Sequence, residues 1–322
     1  MVENDNRSIA IACQGGGSHT AFTAGVLKRI LKENKKQYEI TSLSGTSGGA
    51  ICAMLAWYGL LTNDKDKSIR LLDSFWTDIS ANSFQDMLLN GWVVWTSRLQ
   101  GIVPTLEISP YYYPPRAQEY MKSILEMHVE FNKIKTLVDS NPASPDLFVG
   151  AVDVLSGKFK VFQNAEISAD AILASAAIPT FLRAVQIDSE VYWDGLFSQN
   201  PPVRDFIGDE IHTKPDEIWV IQINPQNRLY EPKSVEEIVD RRNELAGNLS
   251  LYQEIDFIEA VNKWVEAGYL PGNKYKHIDV RWIGTPDGNL DIASKLDRSP
   301  QFIRSMMAYG EKQAEDFLAR LE

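Results

Sequence analysis

Leu43-Ser44-Gly45-Thr46-Ser47-Gly48-Gly49-Ala50 is the stretch whose reading decides the fold. An apolar, β-branched run from Tyr38 to Leu43 leads into it, and a small-residue helix pattern from Ala50 to Leu61 leads out. Strand, sharp turn and helix form the setting in which Gly-x-Ser-x-Gly becomes a nucleophile elbow. Gly45 and Gly49 flank Ser47 where side chains would crowd such a turn. The Gly48 amide is then free to face an oxyanion, and the helix start adds its positive end. Taken alone, the pentapeptide reads equally well as an ordinary turn rich in small residues.

Working outward, Ser8 to Cys13 is a short buried strand pattern, followed by Gln14-Gly15-Gly16-Gly17-Ser18. A helix pattern then carries Phe22, Val26, Ile30 and Leu31 on one side. This opening β-α-β-α unit predicts an α/β fold with a parallel sheet and crossover helices. Further strand patterns lie at Leu147–Leu155, Lys158–Phe162, Ala184–Trp193, Glu217–Ile223 and His277–Ile283. Helical patterns lie at Asn63–Ala81, Arg116–Val129, Ser168–Ala177, Glu236–Ala267 and Ser299–Leu321. No repeat or linker divides the chain, so residues 1–322 are read as one domain.

Composition narrows the function. A net charge of −11 speaks against a nucleic-acid partner, which calls for a basic face. Cys13 and Cys52 sit among small apolar residues and read as buried thiols. The polar start lacks a signal-peptide pattern, and no window of about 18 apolar residues spans a membrane. The expectation is a cytoplasmic protein, with peripheral membrane contact compatible with the pattern. Residues 84–115 are densely aromatic, including Trp92, Trp95 and Tyr111 to Tyr113. They read either as packing onto the core or as a cover and interface for an apolar substrate.

A serine hydroxyl needs a base and oxyanion donors. The unencumbered amides of Gly15, Gly16 and Gly17 fall at the same sheet edge as Ser47. The loop does not match a nucleotide fingerprint, since Thr20 stands where a glycine would be needed. For the base, an α/β-hydrolase orders its triad serine, acid, histidine; His277 fits that order but begins a strand pattern, His212 lies in a charged loop, and neither context is compelling. Asp194 ends an apolar strand, Val191-Tyr192-Trp193, just before Gly195; it reads as base or as turn former.

Three blocks in order resemble the patatin-like phospholipase family. Gly15-Gly16-Gly17 leading to Gly25-Val26-Leu27 resembles its oxyanion block. Gly45-Thr46-Ser47-Gly48-Gly49 resembles its nucleophile elbow. Ala174-Ser175-Ala176-Ala177-Ile178-Pro179, then Trp193-Asp194-Gly195 and Asn200-Pro201, resembles the block with its second catalytic residue. The resemblance implies a three-layer α/β/α fold with a mainly parallel central sheet, and a Ser47–Asp194 dyad working through an acyl-enzyme on lipid or other acyl esters. It implies no cofactor and no metal. The departures are His19 and Thr20 where the family has a basic residue and a glycine, and Leu196 after Asp194-Gly195. His19 is a further candidate for substrate contact. The competing readings are a Ser-His-Asp esterase and a lipid- or protein-binding module that has lost catalysis.

Overall fold

The computed structural model describes residues 7–33, 38–83, 86–88, 90–91, 94, 108–179, 181–208, 213–272, 274–285, 290–291 and 293–321. Strand β1 (Arg7–Cys13) runs through the middle of the sheet. Ile9, Ile11 and Cys13 face one core, and Ala10 and Ala12 face another. Burial on both faces explains why β1 is continuously apolar rather than alternating. β2 (Tyr38–Gly45) and β7 (Glu217–Gln222) flank it in parallel. β8 (Asp279–Gly284) extends the sheet beyond β7, and β3 (Asp146–Asp153) extends it beyond β2, again in parallel. β4 (Phe159–Gln163), β5 (Val185–Ile187) and β6 (Glu190–Asp194) complete the sheet with antiparallel pairings. The sheet is thus mixed and mostly parallel.

One core holds α1 (Ala21–Lys32), α2 (Gly48–Leu61), α3 (Lys65–Ile79) and α8 (Pro300–Ala319) against the sheet. α2 is apolar around nearly its whole circumference and only Leu60 escapes burial, as expected of a helix enclosed on all sides. α4 (Arg116–His128), α5 (Ile134–Ser140) and α6 (Ala169–Ser175) lie on this side too, through Ile124, Ile134 and Ile172. The opposite face is covered by α7 (Val235–Glu266), whose Leu251, Ile255 and Ile258 meet Ala10, Ala12, Ile218 and Val220. Helix, sheet and helix give the three layers. Cys13 and Cys52 are buried free thiols.

The extended run from Ala184 to Trp193 divides into β5 and β6. Asp188, at φ 54°, makes the break; a short polar side chain tolerates that left-handed turn better than most. The register of β3 then positions the site. Phe148 and Val149 have β2 on one edge and β4 on the other. Ala151 and Val152 have β4 and β6. β6 therefore takes over the edge that β2 vacates at Gly45. Gly45 pairs with Val149, and Asp194 pairs with Ala151, two residues further on.

Candidate active site

Ser47 caps the start of α2 with φ 57° and ψ −130°. A non-glycine residue in this region carries roughly 1–3 kcal/mol of strain, so its neighbours must hold it there. The Ser47 amide donates to Ser175 Oγ at 3.0 Å, and Ser175 Oγ donates to the Gly150 carbonyl at 2.7 Å. Thr46 Oγ1 donates to the Gln199 carbonyl at 2.6 Å. Gly49 lies so close to the Cys13 carbonyl that any side chain there would collide with it. The elbow is thus clamped from β1, β3, α6 and the segment after β6.

Asp194 is 1% exposed and Ser47 6%. The Asp194 amide donates to the Ala177 carbonyl at 3.1 Å, and its Oδ1 accepts the Leu196 amide at 2.8 Å. Burial pushes the carboxyl up to about 7, against the opposing pull of the Leu196 amide and of a hydrogen bond with Ser47. The two side chains, far apart in sequence, meet at one sheet edge.

The glycine loop lies beside them. Gly17 has φ +57°, and a side chain there would run into the Lys295 carbonyl. The Gly48 amide is the first of α2 and has no carbonyl to bond within the helix. Gly15 departs from its expected role as an oxyanion donor. Its amide donates to Asn200 Oδ1 at 2.8 Å, so it anchors the loop instead. Gln14 Oε1 fixes the other side by accepting the Ile223 and Asn224 amides at 2.8 Å each. Gly16 and Gly17 of the loop, with Gly48 of the elbow, remain the candidate oxyanion donors.

An apolar cleft of about 350 Å³ opens at Ser47, lined by Ile51, Phe75, Trp76, Ile79, Met121 and Ile178 among others. Its size is that of a small-molecule site. Phe75 and Trp76 fall within the helical pattern over Asn63–Ala81, and nothing in its spacing marks them as cleft walls. Ser175 and Asn200 were likewise quoted within a block without a structural task.

Other expected residues fall elsewhere. His19 is 2% exposed, its Nε2 is 2.8 Å from Ser294 Oγ, and burial lowers its pKa to about 3. It is packed against Ser294 and the Phe302 ring rather than open to solvent. His277 precedes β8 at the opposite sheet edge, between Glu266 at 3.0 Å and Asp279 at 3.2 Å. The length of the sheet separates it from Ser47. His212, Trp92 and Trp95 lie outside the described residues. Tyr111 and Tyr112 are 57% and 85% exposed, and Arg183 donates to the Pro110 carbonyl at 3.0 Å, joining this segment to the rim of the cleft. Among the described residues no cluster of ligands fit for a metal occurs, and no helix is long and apolar enough to cross a membrane.

The family model for the patatin-like phospholipases matches residues 11–207, from β1 through the Asp194 and Asn200 segment. The chain belongs to the patatin-like phospholipase family. Among solved structures it is similar to VipD from Legionella pneumophila, with 12% identity and a TM-score of 0.46 over 98% of this chain and 67% of VipD. It is also similar to the heterodimeric ExoU–SpcU complex from Pseudomonas aeruginosa, with 12% identity and a TM-score of 0.35 over 97% of this chain and 52% of that one. A second structure of full-length ExoU with SpcU gives 15% identity and a TM-score of 0.32, covering 53% of its chain. This patatin-like chain thus spans about half the length of the ExoU chains it resembles. No curated protein matches it.

Proposed function

We propose that this patatin-like protein is a serine acyl hydrolase acting on lipid esters through a Ser47–Asp194 dyad. The family implies a lipid acyl hydrolase. The observation that carries the finer reading is the buried carboxyl of Asp194, raised to about 7, hydrogen-bonded to a serine held at positive φ. An ordinary aspartate near 4 is too weak a base, whereas one near 7 matches the working pH of general-base catalysis.

In this mechanism Ser47 Oγ attacks the ester carbonyl as Asp194 takes its proton. The oxyanion forms against the amides of Gly16, Gly17 and Gly48. The proton passes to the departing alcohol, leaving Ser47 acylated. Asp194 then activates a water that releases the fatty acid and restores the serine. The acyl chain rests in the apolar cleft, whose walls are Phe75, Trp76 and Met121. No metal and no cofactor enters any step. Peripheral contact with a membrane through the exposed tyrosines at Tyr111 to Tyr113 belongs to the same reading, because tyrosine rings suit the interface between water and lipid.

The test is hydrolysis of p-nitrophenyl esters. Ser47→Ala and Asp194→Ala are each expected to lower turnover by at least a thousandfold while the protein stays folded by circular dichroism. A fluorophosphonate probe is expected to label the wild type and not Ser47→Ala. Full activity in either variant, or an unlabelled, inactive wild type, would sink the dyad.

A further inference from the structure

Where β6 takes over from β2 along β3, one residue lies between them. Gly45 of β2 pairs with Val149 and Asp194 of β6 pairs with Ala151, which leaves Gly150 at the junction. The Gly150 carbonyl accepts a side chain there, Ser175 Oγ at 2.7 Å. Ser175 ends α6 and is fully buried. A hydroxyl has one proton to give, and here it goes to Gly150. Toward Ser47 the same oxygen can only accept, and it takes the Ser47 amide at 3.0 Å. Other amides of the elbow use backbone partners: Thr46 donates to the Cys13 carbonyl at 3.4 Å and Gly49 to the Thr46 carbonyl at 2.9 Å. The amide of the nucleophile itself is held by a side chain from 128 positions away.

The same turn also reaches the base. The Asp194 amide donates to the Ala177 carbonyl at 3.1 Å. Ser175 and Ala177, two residues apart, thus grip the nucleophile and the carboxylate each by its backbone N–H. A buried amide that merely needed a partner would be satisfied by any fixed acceptor and would call for no link to the base strand. Ser47 at φ 57° has a conformational reason to relax, and Ser175 opposes that relaxation. A turn of the Ser47 backbone would swing its Oγ away from Asp194, and a misplacement of about 1 Å costs on the order of a hundredfold in rate. Ala176 and Ile178 line the cleft, whereas Ser175 stands behind them, out of contact with solvent.

We infer that Ser175 is a positioning residue of the proposed hydrolysis: its hydroxyl, anchored on Gly150, holds the Ser47 backbone so that Oγ stays on Asp194, and the turn from Ser175 to Ala177 sets the spacing of nucleophile and base. This rests on the Ser47 hydrolase reading. In the first step the Ser47 O–H proton goes to Asp194, the Oγ–C bond forms and the carbonyl π pair becomes the oxyanion; Ser175 exchanges no proton and touches none of these atoms.

The experiment compares wild type, Ser175→Ala and Ser175→Cys on p-nitrophenyl butyrate across pH. Melting curves report the fold, and the fraction finally labelled by a fluorophosphonate counts the competent sites. Alanine removes both hydrogen bonds, whereas cysteine keeps a weak donor and acceptor. Ser175→Ala is expected to lower kcat per labelled site by roughly a hundredfold, with KM changed less than threefold, and to label fully but slowly. Ser175→Cys is expected to fall between it and the wild type. The acid limb of kcat/KM supplies a reading that a purely structural role would not move. Burial raises the Asp194 pKa, and the Leu196 amide and the Ser47 hydroxyl, neither of them ionised, hold it down. Once Ser47 lets go of the carboxylate that pKa climbs, so the limb should shift to higher pH in Ser175→Ala, and less far in Ser175→Cys. Wild-type turnover per labelled site in Ser175→Ala would overturn the inference. So would a reduced turnover with the acid limb unmoved, which would make Ser175 a buried tie and nothing more. Should Ser175→Ala not fold, the same two readings on Ser175→Cys decide. A wild type that neither hydrolyses esters nor labels at Ser47 would defeat the hydrolase reading itself, and this inference with it.

Discussion

Asp194 carries the sharpest prediction at the scale of a residue. Its carboxyl binds a proton more tightly folded, with a pKa of about 7, than in an unfolded chain, where the value is about 3.9. Only the ionised form can act as base, so kcat/KM is expected to fall as pH drops through about 7, with a single-proton acid limb. Stability runs the other way. The folded state gains by holding the proton, so the carboxyl's contribution is greatest below about pH 4 and is lost as pH rises through the folded value near 7. Asp194→Asn cannot ionise. It is expected to be inactive, to melt higher than the wild type at pH 8, and to converge with it at pH 4. A melting difference that stays the same at both pH values would show that the carboxyl is not desolvated, and with it the argument for a strengthened base would go.

At the scale of elements, the cleft is built where α2, α3, α4 and α6 approach one another around the elbow. Its length should set chain-length preference. Met121 on α4 is a cleft wall and only partly buried, so a larger side chain there can shorten the cleft without overpacking the core. Met121→Trp is expected to lower kcat/KM for a dodecanoyl ester by about tenfold relative to a butanoyl ester, since each methylene refused is worth about a kcal/mol. Equal effects on both esters would place the acyl chain elsewhere. These elements were legible from sequence in unequal measure. The strand–glycine–helix units were readable because a glycine loop and a Gly-x-Ser-x-Gly turn have few conformations available. The pairing of Ser47 with Asp194 became expected only through the resemblance of three blocks; the physical cause, β6 occupying the edge left by β2, is a matter of register that no local pattern encodes. Phe75 and Trp76 cannot be told from core residues by pattern, because a cleft wall and a core face share the same period. The binding of the Gly15 amide by Asn200 was hidden for a similar reason, since a hydrogen bond between positions 185 apart leaves no trace in spacing.

Across the whole molecule, the sheet separates its tasks by edge. The proposed chemistry follows Cys13 and Gly45, at the carboxyl ends of β1 and β2. The other end is tied by Glu217, which is nearly solvent-free and pairs in register with Ile9 and Asp279. Its carboxylate accepts from Arg281 Nε at 2.7 Å and Nη2 at 3.0 Å, from Arg7 at 2.9 Å and from Trp219 Nε1 at 2.8 Å. Burial alone would raise its pKa, but these donors, Arg281 first, hold it below the ordinary glutamate value. Its linkage is therefore opposite to that of Asp194: the stabilisation is present above about pH 4.3 and is lost as pH falls through the lower folded value. Glu217→Gln leaves two arginines facing a neutral amide and is expected to cost about 3 kcal/mol at pH 7. Denaturant melts should show that gap narrowing below pH 4, as the wild type loses the same charge by protonation. Ester turnover at temperatures where the variant remains folded should match the wild type, because the strands separate this cluster from Ser47 and Asp194. A folded Glu217→Gln protein with lost turnover would mean that the two edges are mechanically coupled, and an unchanged stability at pH 7 would mean that the ion cluster contributes nothing net to the fold.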